Sequence, residues 1–277
     1  MTYLIMTADW FYALTMGIVQ GLTEFLPISS SGHLSLLNLF FERDATVGID
    51  FTFFLHIATL LAAIIYFRRD LRDLVLAWLP KNRKEGAAQR RITVFLFISC
   101  LVTAPLGLLL EDRLAAVAGN LLLLGLAFLL TATVLTATEL LTFRKDLNRP
   151  ADQLTIPRAA GIGFAQGCAV LPGFSRSGAT IAAGMWTGLS RTEATRYSFL
   201  LAIPIILAGA AKDCFSLIKG TLILPPFAVS LLGFVAAGIA GYVAIAFMLK
   251  LVQRTTLIYF ALYTALLGLA LIALSFV

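Results

Sequence analysis

What most confines this chain is a set of apolar runs long enough to cross a lipid bilayer, together with two more that are cut near their middle. A crossing helix needs about 20 mostly apolar residues. Residues 51–67, 92–110, 121–143, 225–249 and 257–277 supply five such runs, and residues 197–211, extendable to 215, supply a sixth. Residues 11–41 and 159–189 are also apolar, but Pro27-Ile28-Ser29-Ser30-Ser31-Gly32-His33 interrupts the first and Pro172-Gly173-Phe174-Ser175-Arg176-Ser177-Gly178 the second. Proline, glycine and consecutive serines break a helix, and at membrane depth the freed backbone groups must be buried in protein or line a watery cavity. Each cut region is therefore expected to be a helix pair that dips into the bilayer and returns. Charged residues make up 13% of the chain, whereas a soluble domain carries about 25%. The expected fold class is an all-α polytopic membrane protein. Its net charge of +6 is then a topology signal and not a nucleic-acid surface.

The two cut regions are copies of one another at a constant offset. Adding 146 carries Gly17, Gln20, Gly21, Ser29, Ser31 and Gly32 onto Gly163, Gln166, Gly167, Ser175, Ser177 and Gly178. The same offset carries Phe53, Leu55, Ile57, Leu61 and Ala62 onto Phe199, Leu201, Ile203, Leu207 and Ala208. We therefore expect a single membrane domain over 1–277, with repeat 1 at about 1–145 and repeat 2 at about 146–277, each a re-entrant helix pair plus three transmembrane helices. Three crossings per copy invert the second copy against the first, giving an inverted-topology repeat.

The basic residues test this layout independently. With the N-terminus outside, residues 68–91, 144–158, 191–196 and 250–254 place sixteen of the twenty-one Lys and Arg inside, as the positive-inside rule asks. Arg43, Arg113, Lys212 and Lys219 fall outside, and Arg176 alone is left at membrane depth. The three cysteines, Cys100, Cys168 and Cys214, show no paired spacing and predict neither a disulfide framework nor a metal site. The first nine residues lack a basic n-region and a small-residue cleavage pattern, so they are expected to belong to the mature fold.

Ionisable groups at membrane depth cost at least about 2.5–3.5 kcal/mol each on insertion scales, so each is a functional candidate. Glu24, His33 and Arg176 sit in the breaks, accompanied by Gln20, Ser29, Ser30, Ser31, Ser175, Ser177 and Thr180. If the repeats cross at the centre, an acid, an imidazole, a guanidinium and a row of hydroxyls converge, an inventory suited to phosphate. Arg176 offers a planar fork of donors, and helices starting near Gly32 and Gly178 would present free backbone N–H groups. Glu24 could hold a divalent cation, His33 could move a proton, and Ser30 could attack phosphorus beside a base. Blander alternatives stand beside each. The Ser-Gly clusters could serve close helix packing, Glu24 and Arg176 could be a structural ion pair, and His33 could bridge helices. His56 reads as packing or support for the site, and Glu139 has no evident partner.

These motifs carry a resemblance. Gln20-Gly21-Leu22-Thr23-Glu24-Phe25-Leu26-Pro27 with Ser29-Ser30-Ser31-Gly32-His33 resembles the first signature of the undecaprenyl-diphosphate phosphatases, the bacitracin-resistance protein family. The stretch from Pro172 to Thr180 resembles the second, and residues 55–62 and 190–204 are also family-like. The resemblance implies a multi-pass enzyme of the bacterial cytoplasmic membrane that removes the terminal phosphate of undecaprenyl diphosphate, with its active site facing the exterior, its termini outside and Mg²⁺ or Ca²⁺ as cofactor. It also implies Glu24 as metal ligand or catalytic acid, Ser30 as candidate nucleophile, His33 as its acid/base partner, and Arg176 with Ser175, Ser177 and Thr180 as the phosphate cradle; Gln20, Ser29 and Ser31 are further expected to bind substrate, and attack by serine, histidine or water stays open. The family motif carries Glu or Gln at position 20, and the Gln20 found here places the carboxylate chemistry on Glu24. The expected partners are the polyprenyl diphosphate substrate and membrane lipids. A homodimer stays open, because a lipid-facing surface and a subunit contact look alike in sequence. The rival from another class is a polyprenyl-phosphate flippase using the same cradle, since inverted repeats with broken helices also build carriers.

Overall fold

A computed structural model describes residues 2–41, 45–79, 86–110, 113–145, 147–219 and 226–277, with side chains omitted at 2–8, 45–50 and 217. Arg43 and residues 80–85 of the basic loop lie outside the described residues. Among the described residues the chain is all-helical, with one isolated bridge between Arg149 and Leu189. In chain order the helices are α1 (Thr2–Phe25), α2 (Ser30–Phe40), α3 (Ala45–Tyr66), α4 (Arg68–Leu76), α5 (Ala87–Leu110), α6 (Leu114–Ala118), α7 (Leu121–Thr142), α8 (Ile156–Cys168), α9 (Arg176–Trp186), α10 (Arg191–Ile218), α11 (Phe227–Leu251) and α12 (Ile258–Leu274).

This is a multi-pass membrane protein. Among the described residues α5, α7, α10 and α11 are long and apolar enough to cross a bilayer. A fifth span is added if α3 and α4, bent by 69° at their junction, count as one. Six crossings were expected; α12 is apolar but shorter, at 17 residues. The loop expected over 68–91 begins instead with helix α4, whose Arg68, Arg69, Asp70, Arg72 and Asp73 alternate with Leu71, Leu74 and Val75. Leu71 and Leu74 pack against the main core, and Asp70 forms an ion pair with Arg196 of α10.

Both breaks fall where the serines and glycines predict. α1 stops at Phe25 before Pro27, and α2 starts at Ser30 with the Ser29 hydroxyl accepting the Gly32 N–H. α8 stops at Cys168, and α9 starts at Arg176 with the Ser175 hydroxyl accepting the Gly178 N–H. Helix bounds follow the sequence offset, since adding 146 turns Ser30–Phe40 into Arg176–Trp186 and the start of α3 into the start of α10. The packing is reciprocal as well: α1 runs along α11, α8 along α5, and α7 along α12.

Glycines set how closely these pairs approach. A Cβ at Gly21 would lie 2.6 Å from the Ala240 Cβ and 2.7 Å from the Gly241 nitrogen, and one at Gly163 would lie 2.7 Å from the Ser99 Cα. Small residues that let backbones touch are the usual means of association where lipid supplies no hydrophobic drive. Overpacking such a contact costs about 1–3 kcal/mol. Gly21→Leu and Gly163→Leu are each expected to lower the unfolding temperature in detergent and broaden the size-exclusion peak. Gly161→Leu, whose Cβ would meet nothing within 4 Å, is expected to behave as wild type.

Candidate active site

At membrane depth an unpaired backbone group has no water to turn to, so the first question at each break is what satisfies it. The Ser29 hydroxyl accepts the Gly173 N–H at 3.0 Å, joining the first break to the second. Thr131 of α7 serves the second break, donating to the Gly173 carbonyl at 2.8 Å and accepting the Ser175 N–H at 2.9 Å. The Ser177 hydroxyl donates back to the Leu26 carbonyl at 2.8 Å. Ser29, at φ 70, is the one non-glycine residue with positive φ among those described. Such conformations persist only where surroundings over-determine them, and here both its hydroxyl and its carbonyl are bound.

These bonds hold the helix ends so that Glu24 of α1 meets Arg176 of α9 in an ion pair, with the carboxylate side chain 5% exposed and the guanidinium 17%. Three further groups address the second carboxylate oxygen. The Ser30 hydroxyl donates to Glu24 Oε2 at 2.5 Å, the Gln20 amide donates at 3.0 Å, and His56 Nε2 stands 3.8 Å away. Glu24, Ser29, Ser30, Ser31, His56, Thr103, Gln166, Ser175, Arg176 and Ser177 line one cavity of ≈ 370 Å³. The structure therefore brings together the acid, the hydroxyls and the guanidinium that the sequence singles out.

It does not bring His33 or Thr180 into that cavity lining. His33 Nδ1 donates to the Ser29 carbonyl at 2.7 Å. Its Nε2 therefore accepts, from the Tyr263 hydroxyl at 2.7 Å. The ring is stacked on Tyr263 and edge-on to Phe128, so both nitrogens are engaged away from Ser30. Thr180 faces Ser198, with their hydroxyl oxygens 2.6 Å apart. Gln20 reaches the site only through Glu24. The imidazole beside the carboxylate is His56, which sequence reasoning assigned to packing or support. Its Nδ1 donates to the Thr52 carbonyl at 3.0 Å and leaves Nε2 toward Glu24. Glu139 also finds a partner, in a two-pronged ion pair with Arg191 that accepts the Leu257 N–H at 2.6 Å and ties α7 to α10 and the start of α12.

A family model described as "Bacitracin resistance protein BacA" matches residues 13–270. This chain belongs to that family. Its relatives include proteins named undecaprenyl-diphosphatase from Bacteroides fragilis, 36% identical over 271 residues covering 96% of this chain and 98% of that protein. Others with that name are from Christiangramia forsetii, 37% identical and covering 97% and 99%, and Korarchaeum cryptofilum, 36% identical and covering 95% and 98%. Family membership thus spans both breaks and nearly the whole bundle.

The donors available to a cation in this lining are mostly oxygens: the Glu24 and Asp213 carboxylates, the hydroxyls and the Gln166 Oε1, which is buried without a hydrogen-bond partner, with His56 Nε2 as the one imidazole nitrogen. Hard divalent cations take such ligands, and Mg²⁺ often uses one or two carboxylates with substrate phosphates supplying the rest. No cluster of three His, Cys, Asp or Glu is found among the described residues, so the set fits a cation shared with a phosphate ligand and not an all-protein cage.

Stripping one hydroxyl tests the break architecture. Thr131→Val keeps the side-chain volume but leaves the Ser175 N–H and Gly173 carbonyl unpaired, at about 1–3 kcal/mol per group. A lowered thermal midpoint in detergent is expected. Thr133→Val, which removes only a bond to its own helix at Leu129, is expected to leave the midpoint unchanged.

Proposed function

We propose that this protein is an integral membrane phosphatase that hydrolyses undecaprenyl diphosphate to undecaprenyl phosphate and inorganic phosphate, recycling the lipid carrier of cell-wall synthesis and conferring resistance to bacitracin. Family membership and the shared name of its relatives support the activity. The observation that carries the chemical reading is the Ser30 hydroxyl at 2.5 Å from a carboxylate that is itself paired to Arg176. The relatives give no support to a flippase.

In our reading Ser30 is the nucleophile and Glu24 its base. An incoming diphosphate competes with Glu24 for Arg176, because a guanidinium fork fits phosphate oxygens as well as a carboxylate. Once Arg176 turns to phosphate, Glu24 gives up that partner, and its Oε2 keeps the contact through which it can accept the Ser30 proton. The Ser30 oxygen then bonds to the terminal phosphorus as the bridging P–O bond breaks, its electron pair leaving with the lipid monophosphate. Water subsequently releases phosphate from the serine. Arg176, Ser29, Ser31, Ser175 and Ser177 hold the charge of the transferring group, a task that dominates phosphoryl transfer. His33 and Thr180 support this cradle from outside the cavity, His33 by fixing the Ser29 carbonyl. A divalent cation, Mg²⁺ or Ca²⁺, would be held by Glu24 with Gln166 within reach, and when bound would supply charge neutralisation on the diphosphate.

The matching helix bounds and reciprocal packing support two inverted repeats, about 1–145 and 146–277, within one membrane domain. At 11 residues each, α2 and α9 would rise roughly 16 Å at 1.5 Å per residue, about half the hydrocarbon thickness, which supports two re-entrant pairs. The basic asymmetry supports outside termini and a cavity facing the exterior of the bacterial cytoplasmic membrane.

The direct test is release of inorganic phosphate from undecaprenyl diphosphate by purified protein with Mg²⁺ or Ca²⁺. Ser30→Ala, Glu24→Ala and Arg176→Ala are each expected to lower the rate by roughly 10²–10³ or more. Arg176→Lys, which keeps charge but loses the fork, is expected to recover only part of it. Chelation should abolish release. A wild type that releases no phosphate overturns the activity, and a Ser30→Ala variant at wild-type rate overturns the nucleophile.

A further inference from the structure

The lining of the catalytic cavity divides by element. Glu24, Ser29, Ser30, Ser175, Arg176 and Ser177, at the ends of α1, α2 and α9, supply polar groups. Leu114 of α6, Val170 and Phe174 of the second break, and one stripe of α10 supply apolar surface. That stripe is Ile205, Ile206, Gly209 and Ala210, at the helical spacing that puts residues four apart on one face. It begins directly after Pro204, which lies inside α10, and ends a turn later at Asp213. Beyond Pro204 the neighbouring residues Leu207, Ala208 and Ala211 are exposed in a helix that crosses the membrane, so this side of the cavity adjoins the lipid-facing surface of the protein.

A cavity with charged and hydroxyl groups on one set of elements and an apolar stripe on a helix that also faces lipid matches an amphiphile whose charged end reacts and whose hydrocarbon stays in the bilayer. Resting on the phosphatase reading, we propose that the first isoprene units of the polyprenyl chain lie against Leu114, Val170, Phe174, Ile205, Ile206 and Gly209, and that this trough selects substrates by their chain next to the diphosphate. Gly209 is the position where the trough can be closed without disturbing the fold, because a Cβ there would meet nothing within 4 Å. Its lack of a side chain keeps the passage between α10 and the second break open. The apolar wall gains more contact with each isoprene added, so it acts more strongly on long chains than on a single unit.

The test compares Gly209→Trp with Gly161→Trp, a glycine outside the cavity lining whose Cβ would also meet nothing within 4 Å, on three diphosphates carrying one isoprene unit, three units and the undecaprenyl chain. Gly209→Trp is expected to raise KM at least about tenfold for the two longer substrates and to affect the one-unit diphosphate much less. Gly161→Trp is expected to match wild type on all three. Equal losses on all three substrates, or an unchanged KM for the undecaprenyl diphosphate, overturn the trough. A second measurement needs no variant: a diphosphate with a diazirine on its first or second isoprene is photolysed with the wild-type protein. Label at Leu114 or within residues 169–174 or 205–210 supports the trough, and label confined elsewhere overturns it. Failure of the wild type to release phosphate from any substrate overturns the activity instead, whatever the labelling shows.

Discussion

Everything in this bundle depends on how two interrupted helices keep their backbone groups bonded without water. Each break exposes N–H and C=O groups at a depth where leaving them bare costs several kcal/mol apiece. The solution is mutual. The Ser29 hydroxyl of the first break takes the Gly173 N–H of the second, and the Ser177 hydroxyl of the second takes up the Leu26 carbonyl of the first. Thr131 supplies what remains. Neither break is satisfied alone, so the two must assemble together, and their assembly places Arg176 against Glu24. The ion pair follows from the hydrogen-bond closure, and with it the position of Ser30.

A buried ion pair is weak support for stability, since desolvation consumes much of the Coulombic gain. In the proposed reaction its value lies in being exchangeable: Arg176 and Glu24 neutralise one another at rest, and a phosphate group would offer Arg176 an equally good fork partner. Glu139 and Arg191 show the contrasting use: their two-pronged pair also caps the Leu257 N–H, which marks a joint between helices with no hydroxyl poised for attack.

Much of this was legible in the sequence because the informative signals are local. A proline followed by serines and glycine marks a break wherever it occurs, a fixed offset between two such breaks announces duplication, and a single arginine left over from the basic loops is conspicuous at membrane depth. Glu24, Ser30 and Arg176 are singled out this way, and the structure brings them together. What the sequence does not show comes from contacts of long sequence separation. His33 lies three residues from Ser30, on the same face of a helix by spacing, yet its ring turns to Tyr263 and Phe128 on α12 and α7. His56 lies on α3, and only the packing of α3 beside α1 brings its Nε2 to Glu24. Glu139 had no visible partner because Arg191 is 52 residues away. Helix α4 was missed for a different reason: its charges read as a basic loop, and its apolar Leu71 and Leu74 are too few to register until the core they join is seen.

Gln20 shows how the count of charges in such a site is set. Its amide donates to Glu24 Oε2 at 3.0 Å, in the place where a carboxylate would repel that oxygen. The cavity lining contains one guanidinium, Arg176, and two carboxylates, Glu24 paired to it and Asp213 at the end of the α10 stripe. A further carboxylate at position 20, fully buried, would add a negative charge beside the Glu24–Arg176 pair. With Gln20 that pair is neutral by itself. The amide also helps to hold Glu24 Oε2 where Ser30 can reach it, so Gln20 contributes to orientation what a carboxylate would have contributed to charge.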